Sequence, residues 1–234
     1  MRDETDKVGH IRNCYLFTEA DEASVGPLAE RSTLETVPKN RDIFTMGDEV
    51  DGLRILLDGL VRIWINDAQG RELTLTLIEP GDAFGEIALL DGSSRSANAT
   101  VIEPARMIVL RRGAFLDVLD RNPALSRHII VLLCDRMRRM TDDLRGFAFQ
   151  DMRVRLSGKL LELAMDHSEI EGGHARFTRK FSQTEFAHML GATREAINKR
   201  LAALAFDGLV TLRSGWIEIP DLDALRAVAE PDGD

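Results

Sequence analysis

One acidic side chain and one arginine share a short, glycine-rich apolar segment in the first half of the chain. Residues 81–90 read GDAFGEIALL, and Arg95, Ser96 and Ala97 follow. Glycines permit tight turns through which backbone amides can approach an anion, and a planar guanidinium can bind a phosphate at two points. Glu86 would repel a phosphate, whereas a carboxylate accepts hydrogen bonds from sugar hydroxyls. The segment therefore predicts a binding site for a small phosphorylated sugar.

The overall composition is that of an ordinary globular protein of 234 residues, 44% hydrophobic and 29% charged. No apolar stretch approaches the roughly 18 residues of a membrane span, so we expect no membrane partner. Residues 1–7 are mostly charged and lack the apolar region of a secretory signal, which predicts a cytoplasmic location. Cys14 and Cys134 are far apart and neither belongs to a C-x-x-C pair, which disfavours a zinc or iron–sulfur site.

The net charge of −9 conceals a basic segment. Between residues 175 and 200, six basic residues accompany the two acids Glu185 and Glu195, so the local charge is six minus two, or +4. The basic residues are Arg176, Arg179, Lys180, Arg194, Lys199 and Arg200. Because concentrated positive charge attracts the phosphates of DNA, this segment is a candidate nucleic-acid interface.

Up to about residue 110 the sequence favours short strands separated by turns. Turn residues recur at the spacing of a β-sandwich or barrel, at 36–38, 47–48, 57–59, 67–70 and 79–82. Alternating or β-branched apolar residues between them predict strands at 53–57, 60–65, 72–78 and 107–110. We expect an antiparallel, jelly-roll-like barrel that helices within residues 10–34 precede.

After residue 122 the hydrophobic period becomes helical. Apolar residues recur at spacings of three, four, three, four and three, which is the pattern of a coiled-coil seam: Ile130, Leu133, Met137, Met140, Leu144 and Phe147. The pattern predicts a parallel dimer helix, and a single amphipathic helix packed on its own domain is the alternative. Residues 147–151 are then the expected hinge, with Asp151 as the cap of the next helix.

Two helices joined by a short turn are predicted within the basic segment. Ser182 and Glu185 have the spacing of a capping box, and Gly191 and Thr193 mark the end of one helix and the start of the next. The residues expected to face a DNA major groove are Gln183, Thr193, Arg194, Glu195, Asn198 and Lys199. Residues 208–211 and 216–219 predict a β-hairpin wing beside this helix-turn-helix.

The phosphate-binding segment, the dimer helix and the winged helix-turn-helix follow one another in the order that is typical of the Crp-Fnr family, and the chain resembles that family from about residue 15 to 220. The resemblance implies an α+β fold. Its parts would be an antiparallel β jelly-roll cyclic-nucleotide-binding domain at 1–120, a dimerisation helix and hinge at 121–150, and a winged helix-turn-helix at 151–234. It also implies a homodimeric transcription regulator, not an enzyme, that reads a palindromic operator on double-stranded DNA when a cyclic nucleotide is bound.

The resemblance assigns roles to particular residues. Gly85 and Glu86 match the positions that hold the ribose, and Arg95 and Ser96 match those that hold the cyclic phosphate. The nucleotide site is completed by Ile87, Ala97, Met140 and Thr141. Among the base-reading positions of the DNA site, Lys199 stands where the family's cAMP receptors have an arginine, so it keeps the charge but loses the planar fork.

Base selectivity rests on two positions of the dimer helix. Met140 and Thr141 stand where cAMP receptors of the family carry a threonine and a serine that touch the adenine. Met140 cannot make the threonine's hydrogen bond to the exocyclic amine, whereas the Thr141 hydroxyl can either donate or accept. We therefore expect cAMP as the effector, with cGMP as a second ligand. The family's contact with RNA polymerase would fall in the loop predicted at 166–174.

The sequence leaves three alternative functions to consider. The first is a regulator of the same fold with haem, an iron–sulfur cluster or nothing as its effector, which the intact phosphate-binding segment disfavours. The second is a jelly-roll metal enzyme, which would need histidines in the barrel, yet none lies between residues 36 and 110. The third is a module that binds nucleotide without touching DNA, and it would show no salt-dependent affinity for a duplex.

Overall fold

The computed structural model describes residues 6–230. Residues 1–5, which form most of the charged segment 1–7, and residues 231–234, the end of the predicted domain 151–234, lie outside the described residues. The chain divides into two compact units between Arg138 and Arg139, inside its longest helix. The α+β architecture predicted from the sequence is confirmed, while the division into segments 1–120, 121–150 and 151–234 stays a prediction.

The first unit packs short helices against one face of an antiparallel sheet. Its elements in chain order are α1 (Lys7–Asn13), a 3-10 helix (Tyr15–Phe17), α2 (Glu22–Glu30), β1 (Thr33–Val37), β2 (Asp42–Phe44), β3 (Gly52–Asn66), β4 (Glu72–Ile78), β5 (Ala83–Phe84), α3 (Glu86–Asp91), β6 (Asn98–Arg111), α4 (Arg112–Arg121) and the first part of α5 (Pro123–Phe149), which continues into the second unit. The strands pair in the order β1-β6-β3-β4, with β2 on β6 and β5 on β3.

The long strands β3 and β6 separate two hydrophobic cores. Since successive residues of a strand point to opposite faces, Ile55 and Ile108 pack against the helices, whereas Leu56 and Met107 pack on the other face. The helix-side core includes an edge-to-face pair of aromatic rings, Phe17 and Phe115, with centroids 5.8 Å apart. The sheet and its flanking helices therefore form one continuous support for the loop that follows β5.

The predicted turn at 57–59 is wrong, because β3 runs through it. Register shifts between Leu56 and Val61 absorb the irregularity while the strand stays paired with β6. Gly59 makes this geometry accessible. It has φ +93°, and a Cβ there would lie 2.3 Å from the carbonyl oxygen of Pro104. The predicted strand at 107–110 is likewise only the end of the much longer β6.

The helix α5 begins where its sequence contains a capping residue followed by proline. The side chain of Asn122 accepts a hydrogen bond from the amide of Leu125 at 3.0 Å, and proline at the first helical position has no amide to satisfy. Its first turns pack into the core through Leu125 and Ile129. Beyond them the helix has few apolar neighbours of its own.

The predicted seam is therefore largely exposed in the single chain. Leu133 packs partly against the core of the first unit. The seam residues that are 60–68% exposed are Ile130, Met137, Met140 and Leu144. The predicted hinge at 147–151 is shorter than expected, because α5 stays helical to Phe149 and only 150–151 leave the helix.

The second unit is a small helical bundle with a four-stranded sheet. Its elements after α5 are α6 (Met152–His167), β7 (Ser168–Glu171), β8 (His174–Phe177), α7 (Gln183–Leu190), α8 (Arg194–Phe206), β9 (Thr211–Arg213), β10 (Trp216–Ile219) and α9 (Leu222–Ala229). The sheet order is β7-β8-β10-β9, and β9 with β10 forms the predicted wing, but its first strand begins at Thr211 and not at 208 as predicted. The segment predicted as a loop at 166–174 is instead the end of α6, the strand β7 and a turn at Gly172 and Gly173. Within residues 6–230, none of the helices is both long and apolar enough to cross a membrane.

Candidate functional site

The turn between β5 and α3 is built around Gly85. This glycine caps α3 with φ +83°, a conformation that side chains with a Cβ rarely adopt. A Cβ added there would lie 2.6 Å from Nη1 of Arg95, and the Gly85 carbonyl accepts a hydrogen bond from that nitrogen at 2.9 Å. Glycine is therefore required both by the backbone and by the close approach of the arginine.

The guanidinium of Arg95 is buried and almost fully engaged by the protein. Its Nη2 donates to Oδ1 of Asp51 and to the carbonyl of Gly52, both at 2.6 Å, and its Cζ lies 4.2 Å from the centroid of the Phe44 ring. The Nε is buried and has no hydrogen-bond partner among the described residues. A buried arginine with one unsatisfied donor is suited to receive an anion.

A second buried arginine shares the same carboxylate. Arg54 donates to Asp51 through two nitrogens, at 3.0 and 2.6 Å, and its Nε donates to Glu35 at 3.2 Å. Burial favours protonation of Asp51, but its hydrogen bonds from Arg54 and Arg95 outweigh burial and hold the pKa of this carboxyl well below its usual range. Asp51 is therefore a carboxylate at every pH at which the protein is expected to work.

The predicted ribose ligand Glu86 is buried on the first turn of α3. It forms an ion pair with Arg136, which comes from α5 within the first unit. The neighbouring Ile87 and Ser96 are exposed, whereas Ala97 is buried. The structure thus brings Gly85, Glu86 and Arg95 together, as the sequence predicted, and adds partners that no local pattern indicated.

The two residues assigned to base selectivity lie farther along α5. Met140 and Thr141 belong to the second unit and are exposed. Their place in a nucleotide site stays a prediction.

The predicted helix-turn-helix is present, with each of its end signals satisfied. The Ser182 side chain accepts from the amide of Glu185 while the Glu185 carboxylate accepts from the amide of Ser182, which completes the capping box. Gly191 ends α7 in the left-handed conformation, and Thr193 caps α8 through the amide of Ala196. The buried face of α8 consists of Ile197, Leu201 and Leu204.

The opposite face of α8 leaves the predicted base-reading side chains in solvent. Arg194, Glu195 and Lys199 are all exposed. Gln183 donates its side-chain amide to Asn198 at 2.9 Å, so these two predicted DNA contacts are joined across the turn. An exposed, charged N-terminal half of the second helix is the geometry that a major groove accepts.

A residue that the sequence analysis missed ties this motif to the end of α5. Arg155 donates from Nη2 to the carbonyl of Leu190, at the C-terminus of α7, at 2.6 Å, and its Cζ lies 3.9 Å from the centroid of the Phe147 ring. A cation at a helix C-terminus satisfies the free carbonyls and opposes the negative end of the helix dipole. Its position in a helical run gave no signal of this contact.

Comparison with known proteins finds a matching family for the sheet-containing first unit and another for the helix-turn-helix. The family model "Cyclic nucleotide-binding domain" matches residues 34–122, and "Crp-like helix-turn-helix domain" matches residues 154–228. A CRP-like cAMP-activated global transcriptional regulator of Mycobacterium tuberculosis is 31% identical over 210 residues, which are 90% of this chain and 94% of the relative.

Two further matches bear on the effector and the fold. The cyclic AMP receptor protein of Thermus thermophilus is 32% identical over 192 residues, 82% of this chain and 86% of the relative. The solved structure of CLP, a c-di-GMP responsive global regulator of Xanthomonas campestris, has a TM-score of 0.74 and 21% identity, covering 86% of this chain and 99% of that one. This last likeness concerns the fold alone.

The Asp51 ion pairs predict a pH-dependent stability. Because the folded-state pKa of Asp51 is lowered, its pairs stabilise the fold above the unfolded-state pKa of about 4, and this stabilisation is lost as pH falls through the folded-state value. We expect Asp51→Asn to unfold at lower urea than the wild type at pH 7, and the difference to shrink as pH falls from about 5 toward 2.

The measurement is urea unfolding followed by circular dichroism at several pH values. Asp48→Asn is the matched control, since the Asp48 carboxylate accepts from the Thr45 amide rather than from a guanidinium. A difference between wild type and Asp51→Asn that stays constant from pH 7 to pH 2 would contradict the expectation.

Proposed function

Because the chain belongs to the Crp-Fnr family, it is a transcription regulator with a cyclic-nucleotide-binding domain and a DNA-binding helix-turn-helix, not an enzyme, and we propose that cAMP is its effector. In this proposal the protein is a homodimer that binds a palindromic operator when cAMP occupies the cyclic-nucleotide-binding domain of each chain, residues 34–122, here called the β domain. It would act in the cytoplasm, where it meets the DNA. A contact between RNA polymerase and the hairpin at 166–174 is part of the same proposal.

The observation that carries the nucleotide assignment is the buried Arg95 beside Gly85. The guanidinium lies at the end of a glycine turn with one donor unused, and a carboxylate suited to a ribose hydroxyl, Glu86, lies on the adjoining turn of helix. In this proposal Arg95 and Ser96 hold the cyclic phosphate and Gly85 and Glu86 hold the ribose. Ile87 and Ala97 line the apolar side, and Met140 and Thr141 are the base-selecting positions, with the Thr141 hydroxyl reaching the purine bound in the partner subunit.

The choice of cAMP is supported by two relatives above 30% identity that are named for cAMP. cGMP is the second ligand that we propose, because Met140 cannot make the adenine contact of the family's cAMP receptors and a threonine hydroxyl can serve either purine.

Calorimetric titration with cAMP and with cGMP tests the site. We expect Arg95→Ala to lose measurable binding of either nucleotide, since it removes the guanidinium and its fork. Arg71→Ala is the control, because Arg71 is an exposed arginine of the same β domain that pairs only locally with Asp67. Unchanged affinity in Arg95→Ala would overturn the assignment of the site.

The exposed seam of α5 supports the dimer. A row of apolar side chains at heptad spacing is costly in water and is covered when two such helices pack in parallel. Two-fold symmetry would then place the two recognition helices about one turn of DNA, roughly 34 Å, apart. For an effector to activate this dimer it must bind the DNA-competent arrangement more tightly than the other.

A charge in the seam should separate the two chains. We expect Leu144→Glu to sediment as a monomer at micromolar concentration, because the substitution would bury two facing carboxylates in the dimer. Leu75→Glu is the matched control, since Leu75 is an exposed leucine that belongs to β4 and not to α5. If Leu144→Glu sediments like the wild type, the seam is not the dimer interface.

The base-reading role of α8 gives a sequence-dependent prediction. Lys199→Ala should weaken binding by about 1–3 kcal/mol and relax the preference at one base pair in each half-site, because the side chain is exposed on the half of the helix that enters the groove. Selection of operators from a randomised duplex pool measures this, with the exposed Lys39→Ala of the β domain as control. Equal weakening on every sequence would make Lys199 a phosphate contact instead.

A further inference from the structure

One carboxylate in the β domain is shared by two buried arginines. Asp51 accepts two hydrogen bonds from Arg54, one to each of its oxygens, but only one from Arg95. Its hold on Arg54 is therefore a two-point fork, while its hold on Arg95 is a single contact. Oδ1 accepts from both arginines, whereas Oδ2 accepts from Arg54, so Asp51 can leave Arg95 while its Oδ2 stays with Arg54.

The single contact falls on the nitrogen that a phosphate would need most. A guanidinium offers two forks, Nη1 with Nη2 and Nε with Nη2, and both include Nη2. In Arg95 the two hydrogens of Nη2 are directed to Asp51 and to the Gly52 carbonyl, while the Nε lies buried without a partner among residues 6–230. Two-point binding of a phosphate by Nε and Nη2 thus requires that one of these acceptors leave Nη2, and of the two the Gly52 carbonyl belongs to the backbone of β3 whereas Asp51 is a side chain.

Burial shows which group can move. The side chains of Arg95 and Arg54 are 1% and 4% exposed, whereas that of Asp51 is 56% exposed. The two arginines are also held by backbone carbonyls, by Glu35 and by the Phe44 ring. Only the carboxylate can shift without opening the core.

We propose that the Asp51 carboxylate occupies the position on Arg95 at which a phosphate binds, here called the phosphate seat. Arg54 is then the positioning residue that retains this carboxylate when a phosphate replaces it. The proposal rests on the proposed function, in which the arriving phosphate belongs to a cyclic nucleotide. While the seat is empty, Asp51 compensates two buried guanidiniums. When the phosphate arrives, like charges repel, and Asp51 turns away from Arg95 while its Oδ2 stays with Arg54. The affinity of the site is then set by this exchange.

The exchange predicts effects of opposite sign at two neighbouring residues. Asp51→Asn removes the competing charge, so cAMP should bind about tenfold more tightly, as expected for one charge-assisted contact. Arg54→Gln leaves Asp51 with Arg95 as its only guanidinium, so cAMP should bind several-fold more weakly. In the double variant Asp51→Asn with Arg54→Gln, affinity should return to that of Asp51→Asn, because Arg54 acts through Asp51.

The experiment is calorimetric titration of wild type and these three variants with cAMP, each first checked for folding by circular dichroism. Weaker binding by Asp51→Asn would overturn the proposal, since Asp51 would then orient Arg95 rather than compete with the ligand. So would an Arg54→Gln variant with wild-type affinity, or a double variant as weak as Arg54→Gln alone. If Asp51→Asn does not fold, the Arg54→Gln result decides.

A second measurement separates this proposal from the choice of nucleotide. Inorganic phosphate should raise the thermal midpoint of Asp51→Asn more than that of the wild type, because the seat on Arg95 is already vacated. If no form binds cAMP but phosphate still stabilises Asp51→Asn selectively, the exchange stands and the effector assignment fails. If cAMP binds every form and phosphate stabilises Asp51→Asn no more than the wild type, the effector assignment stands and the exchange fails.

Discussion

The burial of the Arg95 guanidinium is the constraint on which the β domain depends. An arginine cannot lose its proton in a protein, so its charge and its donors must be met inside the fold. Two backbone carbonyls, one carboxylate and an aromatic ring surround it. Gly85 in the glycine turn, Asp51 and Gly52 at the start of β3 and Phe44 on β2 together enclose this one group.

A second buried charge, Glu86, connects the glycine turn to the long helix α5. Glu86, buried on α3, is compensated by Arg136 of α5, so occupation of this corner by a ribose would alter a contact of the helix that carries the exposed seam. A ligand that exchanges charge partners here can favour one arrangement of α5 over another, provided that it binds the two arrangements unequally. The ion pair of Glu86 with Arg136 thus offers a route from an effector to α5.

The second unit positions one helix, α8, so that its exposed face can contact a surface outside the protein. Its precision comes from helix ends: the capping box at Ser182, the left-handed Gly191, the cap at Thr193 and the arginine at the carbonyl of Leu190. Helix ends leave backbone groups unpaired, so satisfying them fixes the turn between α7 and α8. The exposed face of α8 is then presented by a rigid frame, as reading DNA requires.

Local chemistry let the sequence determine the helix-turn-helix, the start of α5, the cap at Asp151 and the glycine turn before α3, because caps and turns depend on residues three or four positions apart. The tertiary structure decided that β3 continues through Gly59, that the hairpin of β7 and β8 replaces a loop, and that Asp51, Arg54 and Arg136 surround the predicted site. These contacts join segments that are distant in the chain. Their geometry depends on strand register and on how the apolar residues of α5 pack against the sheet, and both arise only when the whole domain folds.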